Sequence, residues 1–465
     1  AMRLDIEIAK YPGFELQTST QRYYPSAALS LSHILGYTGK ITRSEYEALR
    51  DKEYRSIDSI GKTGVEKNAE SFLRGTTGKQ ISEVNASGHE LSVISKTDPI
   101  SGSNVLLSID LEFQKWIEFR LGEILKKVSA QKGTVIAIDP QTGLVHALVS
   151  IPSFDNNLFA SGISQTSYDA LATDPTQPLF FRAIAGNYPS GSILKPFIAY
   201  AALSERIIEE HTSFLSVGGI RVGDWFFPDW KSEGHGITDV RKAIAESVNT
   251  FFYIIGGGFN RVTGLGVDRI VHYAQMFGFG SKTGIDVPGE STGFLPTKEW
   301  KLEAKNERWY VGDTYHLAIG QGDFLTTPIK MAVGTAIIAN GGFSISPHVI
   351  QSVDGPGSTQ PSTDKRVQIP NLDKNAMRIV REGMRQSVIS GNSRRLLNLP
   401  VVVAGKTGTA QSGLNRPTHS WFTGFAPYDF PTLQLTILIE EGGESTAAAV
   451  PLSYEIFEWW FKHRK

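Results

Sequence analysis

Gly133-Thr134-Val135-Ile136-Ala137-Ile138 and Leu144-Val145-His146-Ala147-Leu148-Val149, joined by Asp139-Pro140-Gln141-Thr142-Gly143, decide the fold. Both outer runs are short and rich in β-forming residues, and the connector places Pro and Gly where a turn wants them. The segment therefore predicts two adjacent antiparallel strands. Upstream, Val105-Leu106-Leu107-Ser108-Ile109-Asp110 reads as a strand followed by a helix whose apolar face carries Leu111, Ile117, Leu121, Ile124 and Leu125. Downstream, residues from about 192 to 345 are mainly helical in pattern with Gly-rich connectors, strands return at 401–404 and 433–439, and an amphipathic stretch at 453–461 closes the chain. Helices inserted between strands that must pair across a long gap predict an α+β domain with one sheet assembled from its two ends.

The remaining composition sets bounds. At 465 residues and 40% hydrophobic content the chain can bury a large core and hold two domains. Residues 1–102, rich in Ser, Thr, Gly and charge, read as an accessory module, and 103–465 as the main domain. The 352–364 stretch reads as a Pro/Gly/Ser-rich surface loop. Lys plus Arg at 46 nearly cancels Asp plus Glu at 47, so no long-range field favours nucleic acid or anionic lipid. Cys is absent, which excludes disulfides, thiolate metal sites and thiol catalysis. No run reaches the roughly 18 to 20 apolar residues of a membrane helix, and Ala1-Met2 before mid-chain-looking sequence predicts that an anchor has been removed.

Three elements carry chemistry. In Tyr188-Pro189-Ser190-Gly191-Ser192-Ile193-Leu194-Lys195-Pro196-Phe197 a turn runs into an apolar helix, with the Ser192 hydroxyl and the Lys195 amine on one face. A buried lysine of depressed pKa can act as the base for such a hydroxyl. Ser-x-x-Lys also occurs at Ser59/Lys62, Ser129/Lys132 and Ser362/Lys365, but only Ser192 stands at a Gly-preceded turn into an apolar helix. The second element, Ser247-Val248-Asn249, lies in an apolar helix-like run from 242 to 255 and offers a hydroxyl for proton relay and an amide for hydrogen bonding. Its duplicate, Ser390-Gly391-Asn392, reads as a turn. The third is Lys406-Thr407-Gly408-Thr409 after the β-run at 401–404; its duplicates at Lys62-Thr63-Gly64 and Lys282-Thr283-Gly284 do not follow a strong strand signal.

Ser-x-x-Lys, Ser-x-Asn and Lys-Thr-Gly in that order resemble the motif set of penicillin-binding proteins and serine β-lactamases. The likeness extends to 107–110, 137–143, 151–155, Gly320-Gln321-Gly322 with Thr327-Pro328, and Ser420-Trp421-Phe422-Thr423-Gly424. These are similar to class B penicillin-binding proteins. Asp229-Trp230-Lys231 with Gly234-His235-Gly236, and Thr283-Gly284-Ile285-Asp286-Val287-Pro288-Gly289-Glu290, resemble the elongation type, penicillin-binding protein 2. Residues 22–75 look like part of that family's non-catalytic pedestal, whose first portion and membrane helix are missing here.

The resemblance implies an α/β sandwich on a five-stranded antiparallel sheet and a D,D-transpeptidase that cross-links peptidoglycan stem peptides ending in D-Ala-D-Ala and is acylated by β-lactams. It implies Ser192 as nucleophile, Lys195 as its base, Ser247 as proton relay and Asn249 as the group that holds the peptide amide. Lys406 supplies positive charge, with Thr407, Gly408 and Thr409 lining the substrate groove and the N–H groups of Ser192 and Thr409 forming the oxyanion hole. No cofactor is expected and no nucleic acid. The implied partner is a SEDS-family glycosyltransferase, and the implied location is the extracytoplasmic face of the membrane. Asp224, Asp229, Asp239 and His235 cluster in sequence, but Val248 stands where some elongation-type relatives carry Cys, so no metal site is expected. The alternatives are a D,D-carboxypeptidase, a β-lactam sensor and a serine β-lactamase; against the last, no Glu has Asn four residues on, as class A enzymes do.

Overall fold

The structure is a computed structural model that describes residues 21–464 apart from 26, 87–89, 356–365 and 414. Its centre is an antiparallel sheet of five strands: β1 (Lys132–Ile138), β2 (Val145–Ile151), β3 (Ala404–Ala410), β4 (His419–Ala426) and β5 (Leu433–Glu440), in the spatial order β3-β4-β5-β1-β2. The first two strands form the expected hairpin, with Val135 opposite Val149. Its turn is tied by Asp139, whose carboxylate accepts from Gln141 N (2.7 Å) and Thr142 Oγ1 (2.9 Å). Pairing of β5 with β1, Ile437 opposite Val135, closes the sheet across about 300 residues of chain.

β1 is buried at every position after Lys132 because both faces of the sheet are covered. Val135 and Ala137 point to one core, with Phe113, Ile117 and Leu121 of helix α1 (Leu111–Lys127) and Ile456 and Phe457 of the C-terminal helix (Ala449–His463). Ile136 and Ile138 point to the other, which contains helices α2 (Lys195–Ser204), α3 (Val240–Glu246), α4 (Asn249–Gly257), α5 (Pro328–Ala339) and α6 (Lys374–Ile389). Every residue of α5 is buried, consistent with an apolar helix packed into the centre of a sandwich. Each β1 side chain of this size adds about 1.5–3 kcal/mol on burial. Asp110 starts α1 by accepting from Phe113 N (3.0 Å) and also binds Arg464 Nη2 (2.9 Å), tying the two helices of that layer.

Four sequence expectations are corrected. The loop expected at 352–364 starts as strand, Ile350–Asp354 pairing with the expected strand at Asn104–Leu107, and its 356–364 part lies outside the described residues. The strand expected at 401–404 begins at Ala404 and continues through Ala410, so the Lys-Thr-Gly element is itself strand. The helical pattern after 192 is interrupted by two small ladders, Ser213–Ser216 with Gly236–Asp239 and Gly219–Val222 with Trp225–Pro228, each too short to leave a periodic signal. The run from 242 to 255 is two helices, broken at Ser247-Val248.

Residues 27–36 pack on the sheet domain: Ser30 donates from N (2.9 Å) and Oγ (2.6 Å) to Glu118 and accepts from Gln114 Nε2 (2.8 Å). A hairpin of Lys79–Val84 and Glu90–Thr97 projects from this module. Among the described residues no helix is long and apolar enough to cross a membrane.

Candidate active site

Ser192 sits in a single 3₁₀ turn, Gly191–Leu194, that runs directly into α2, with Pro196 in the first helical turn where its missing N–H costs nothing. Side chains three apart eclipse in 3₁₀ geometry, which brings Ser192 and Lys195 to one side. Gly191 has φ 55°, and a Cβ there would lie 2.7 Å from Thr409 O. Gly408 allows the same close approach from the other side, since a Cβ on it would meet Ser190 O at 3.0 Å. The turn is thus pressed against β3, the edge strand that carries the Lys-Thr-Gly element. It is pinned further by Gly191 N donating to Gly320 O (2.8 Å) and by Trp421 Nε1 of β4 donating to Pro189 O (3.1 Å).

The Lys195 side chain is fully buried. Its Nζ contacts Ser247 O at 2.7 Å, Asn249 Oδ1 at 2.6 Å and Ser247 Oγ at 3.2 Å. The first two partners are pure acceptors, and a neutral amine has two N–H groups to fill them. Its lone pair is then left for a hydroxyl. Burial pulls this amine down to about 7 from its usual value, with the Asp229 charge opposing part of that shift. Ser247 is placed for these contacts by a left-handed backbone (φ 61°, ψ 40°) at the junction of α3 and α4, a conformation rarely adopted by a non-glycine residue and common where function constrains the chain.

Lys406 is also fully buried, and its Nζ donates to Thr407 O (2.8 Å). Burial, and next the charge of Lys195, push it well below its ordinary range. Ser192, Asn249 and Thr409 are half-buried, whereas Lys195, Ser247, Lys406, Thr407 and Gly408 are buried. Among the described residues the Ser192 hydroxyl has no hydrogen-bond partner within the protein, which leaves it free for a substrate.

The duplicates have structural work elsewhere. Lys62 is paired with Glu45 in the accessory module. Ser129 ends α1 with φ 55° while Lys132 begins β1 and pairs with Glu440 (3.3 Å). In the 282–284 copy, Thr283 N and Gly284 N donate to the buried Glu290 carboxylate (2.6 and 3.1 Å). Ser390-Gly391-Asn392 follows α6 and docks on Ala245, with Asn392 N to Ala245 O at 3.4 Å. The pair Ser362/Lys365 lies outside the described residues.

The acidic residues of that cluster have other partners. Asp224 is exposed in a hairpin turn and Asp239 caps α3 through Lys242 N (2.8 Å). Both oxygens of Asp229 are occupied by N–H and O–H donors. Among the described residues no group of three or more His, Cys, Asp or Glu is placed to hold a metal. Trp421, Gly320 and Asp229 support the site without being legible as site residues; only their place in the family-like segments marks them.

A hydroxyl at a helix-leading turn, a buried amine three residues on and a hydroxyl-amide pair closing around that amine are groups of the kind a serine acyl-transferase uses. Residues 133–458 match the penicillin binding protein transpeptidase domain, and residues 1–107 match the penicillin-binding protein dimerisation domain. The peptidoglycan D,D-transpeptidase MrdA of Acinetobacter baumannii is 35% identical over 474 residues, covering 98% of this chain and 68% of the relative. Penicillin-binding protein 2 of Helicobacter pylori, solved in complex with MreC, superposes with a TM-score of 0.85 at 30% identity, covering 99% of this chain and 82% of that one. A chain from a peptidoglycan synthase complex that coordinates polymerization and crosslinking gives a TM-score of 0.84 at 32% identity, covering 100% and 80%. The chain belongs to the penicillin-binding protein transpeptidases and, within them, to the penicillin-binding protein 2 type. It is a peptidoglycan D,D-transpeptidase, a serine acyl-transferase.

Proposed function

We propose that Ser192 is the nucleophile of this reaction and Lys195 the base that frees it. The Ser192 Oγ attacks the carbonyl of the penultimate D-Ala of a stem peptide, its proton passing to the Lys195 amine. The C–N bond to the terminal D-Ala breaks as Ser247 relays a proton to the leaving amine. The amine of a second stem peptide then attacks the ester and restores the serine. Asn249 holds the peptide amide, and Thr407, Gly408 and Thr409 line the carboxylate end of the groove. A bound carboxylate would favour the charged form of Lys406, which burial otherwise disfavours. The N–H groups of Ser192 and Thr409 serve the oxyanion, at about 3 kcal/mol per donor. A β-lactam enters the same route and stops at the ester.

The observation that carries this reading is the fully buried Lys195 amine, set among Ser247 O, Ser247 Oγ and Asn249 Oδ1 and brought down to about 7. An amine is a base only when neutral, so the base form grows as pH rises through that value. The acylation rate with penicillin is expected to climb about tenfold per pH unit below roughly 7 and level off above it. A stopped-flow rate profile from pH 5 to 9 checks this; a rate that is flat across that range would exclude Lys195 as the base.

We further infer that residues 1–102 form a pedestal that engages a SEDS-family glycosyltransferase at the extracytoplasmic membrane face during cell elongation, with the catalytic domain at 103–465 held by an N-terminal membrane helix. Two features support this. Ile81, Val84, Leu91, Val93 and Ile94 of the projecting hairpin are 48–68% exposed, and a lone two-stranded ladder with free edges is marginal without a partner. Related chains are solved with MreC and within a peptidoglycan synthase complex. Lys substitutions at Leu91 and Ile94 are expected to reduce co-purification of the anchored protein with the host glycosyltransferase; undiminished recovery would make the module a spacer.

A further inference from the structure

Asp229 lies outside the three motifs, yet its carboxylate is fully buried against the centre of the site. Oδ1 accepts from Trp230 N (2.9 Å) and Asn249 N (3.1 Å). Oδ2 accepts from Thr250 N (2.9 Å), Thr250 Oγ1 (2.7 Å) and Ser216 Oγ (3.4 Å). Asn249 and Thr250 are the first two residues of α4, whose N–H groups have no partner within the helix. The residue at the capping position is Val248, which has no side-chain oxygen to serve them. A carboxylate some twenty residues upstream does so instead. The helix it fixes opens with the same Asn249 whose Oδ1 accepts from Lys195.

We propose that Asp229 is a positioning residue of the transpeptidase reaction, which clamps the first turn of α4 so that Ser247 and Asn249 close around the Lys195 amine. This rests on the assignment of Lys195 as the base. The clamp is also electrostatic. The charged or titratable groups facing Lys195 are Asp229 and Lys406, with the Phe252 ring 5.2 Å from Nζ. Those facing Asp229 are Lys195, Tyr253 and His235; Nε2 of His235 is 3.7 Å from Oδ1, and its Nδ1 is 2.8 Å from Glu246 Oε2. Burial favours the neutral amine and Asp229 favours the ammonium, so the carboxylate keeps Lys195 able to hold the proton it takes from Ser192.

The test is Asp229→Asn, measured as penicillin acylation rate against pH together with thermal unfolding. The amide keeps the size, turns an N–H toward N–H donors and removes the charge. Acylation is expected to fall about a hundredfold on the pH 8 plateau, the scale of a displaced catalytic group. The acid limb is expected to move to lower pH, because an ammonium without its counter-charge gives up its proton more easily. Adding Val248→Ser supplies a local cap and should recover unfolding temperature without returning the limb to its original position; this double variant serves if Asp229→Asn alone fails to fold. A rate within twofold of wild type, or a uniform loss with the limb unmoved in whichever variant folds, would overturn the proposal. Failure of the Lys195 assignment is separable, since it would flatten the profile of the wild-type protein itself.

Discussion

Ser192→Ala is expected to abolish covalent labelling by a fluorescent penicillin while leaving thermal unfolding within about 0.5 kcal/mol of wild type. The two halves have separate causes. The hydroxyl is the only group at this position that can form the ester, so its loss removes the reaction outright. It is also half-buried and, among the described residues, makes no hydrogen bond within the protein, so deleting it leaves no buried partner unsatisfied. The 3₁₀ turn stays in place because Gly191 N, Pro189 O and the Trp421 indole hold it, none of which involves the serine side chain. Labelling that persists in this variant, or that moves to Ser59 or Ser129, would contradict the assignment.

Lys406→Ala should lower the acylation rate by about a hundredfold or more, whereas Lys282→Ala and Lys62→Ala should stay within twofold of wild type. The three lysines head the same tripeptide, and only their surroundings differ. Lys406 is fully buried on β3, the strand that presses on the nucleophile turn, and its charge is coupled to that of Lys195. Lys282 is exposed in a loop whose N–H groups are held by Glu290, and Lys62 is paired with Glu45 far along the chain. Since the alanine at 406 leaves a hole, its rate is read on protein that still unfolds cooperatively. Equal losses at 406 and 282 would mean that the edge strand is not part of the site.

Much of this architecture was legible because it rests on local pattern. The β1–β2 hairpin is announced by two apolar runs around Asp139–Gly143, and a sheet built from distant segments follows from strands at both ends of a helical region. The order of the three motifs separated Ser192, Ser247 and Lys406 from duplicates that spacing alone could not reject. What stayed hidden depends on contacts between remote residues. Ala-Gly-Lys-Thr-Gly-Thr-Ala at 404–410 has little strand propensity of its own; it is a strand because it pairs with β4 along its whole length, Lys406 opposite Thr423. The left-handed Ser247 has no signature in a run that reads as one apolar helix. Asp229 reaches α4 from a separate ladder, and no periodicity reports a cap supplied from about twenty residues away. The burial of Lys195, the property on which the proposed chemistry turns, comes from helices packed around it from several parts of the chain.

Ser192 as the site of a stable acyl-enzyme is tested most directly by intact-mass measurement of the wild-type protein after penicillin treatment, followed by peptide mapping over several hours. One added penicillin per chain, located on the peptide containing Ser192 and still present at the last time point, is the predicted result. An adduct on any other residue would contradict the account, as would an ester that forms at Ser192 and hydrolyses within minutes in the manner of a β-lactamase.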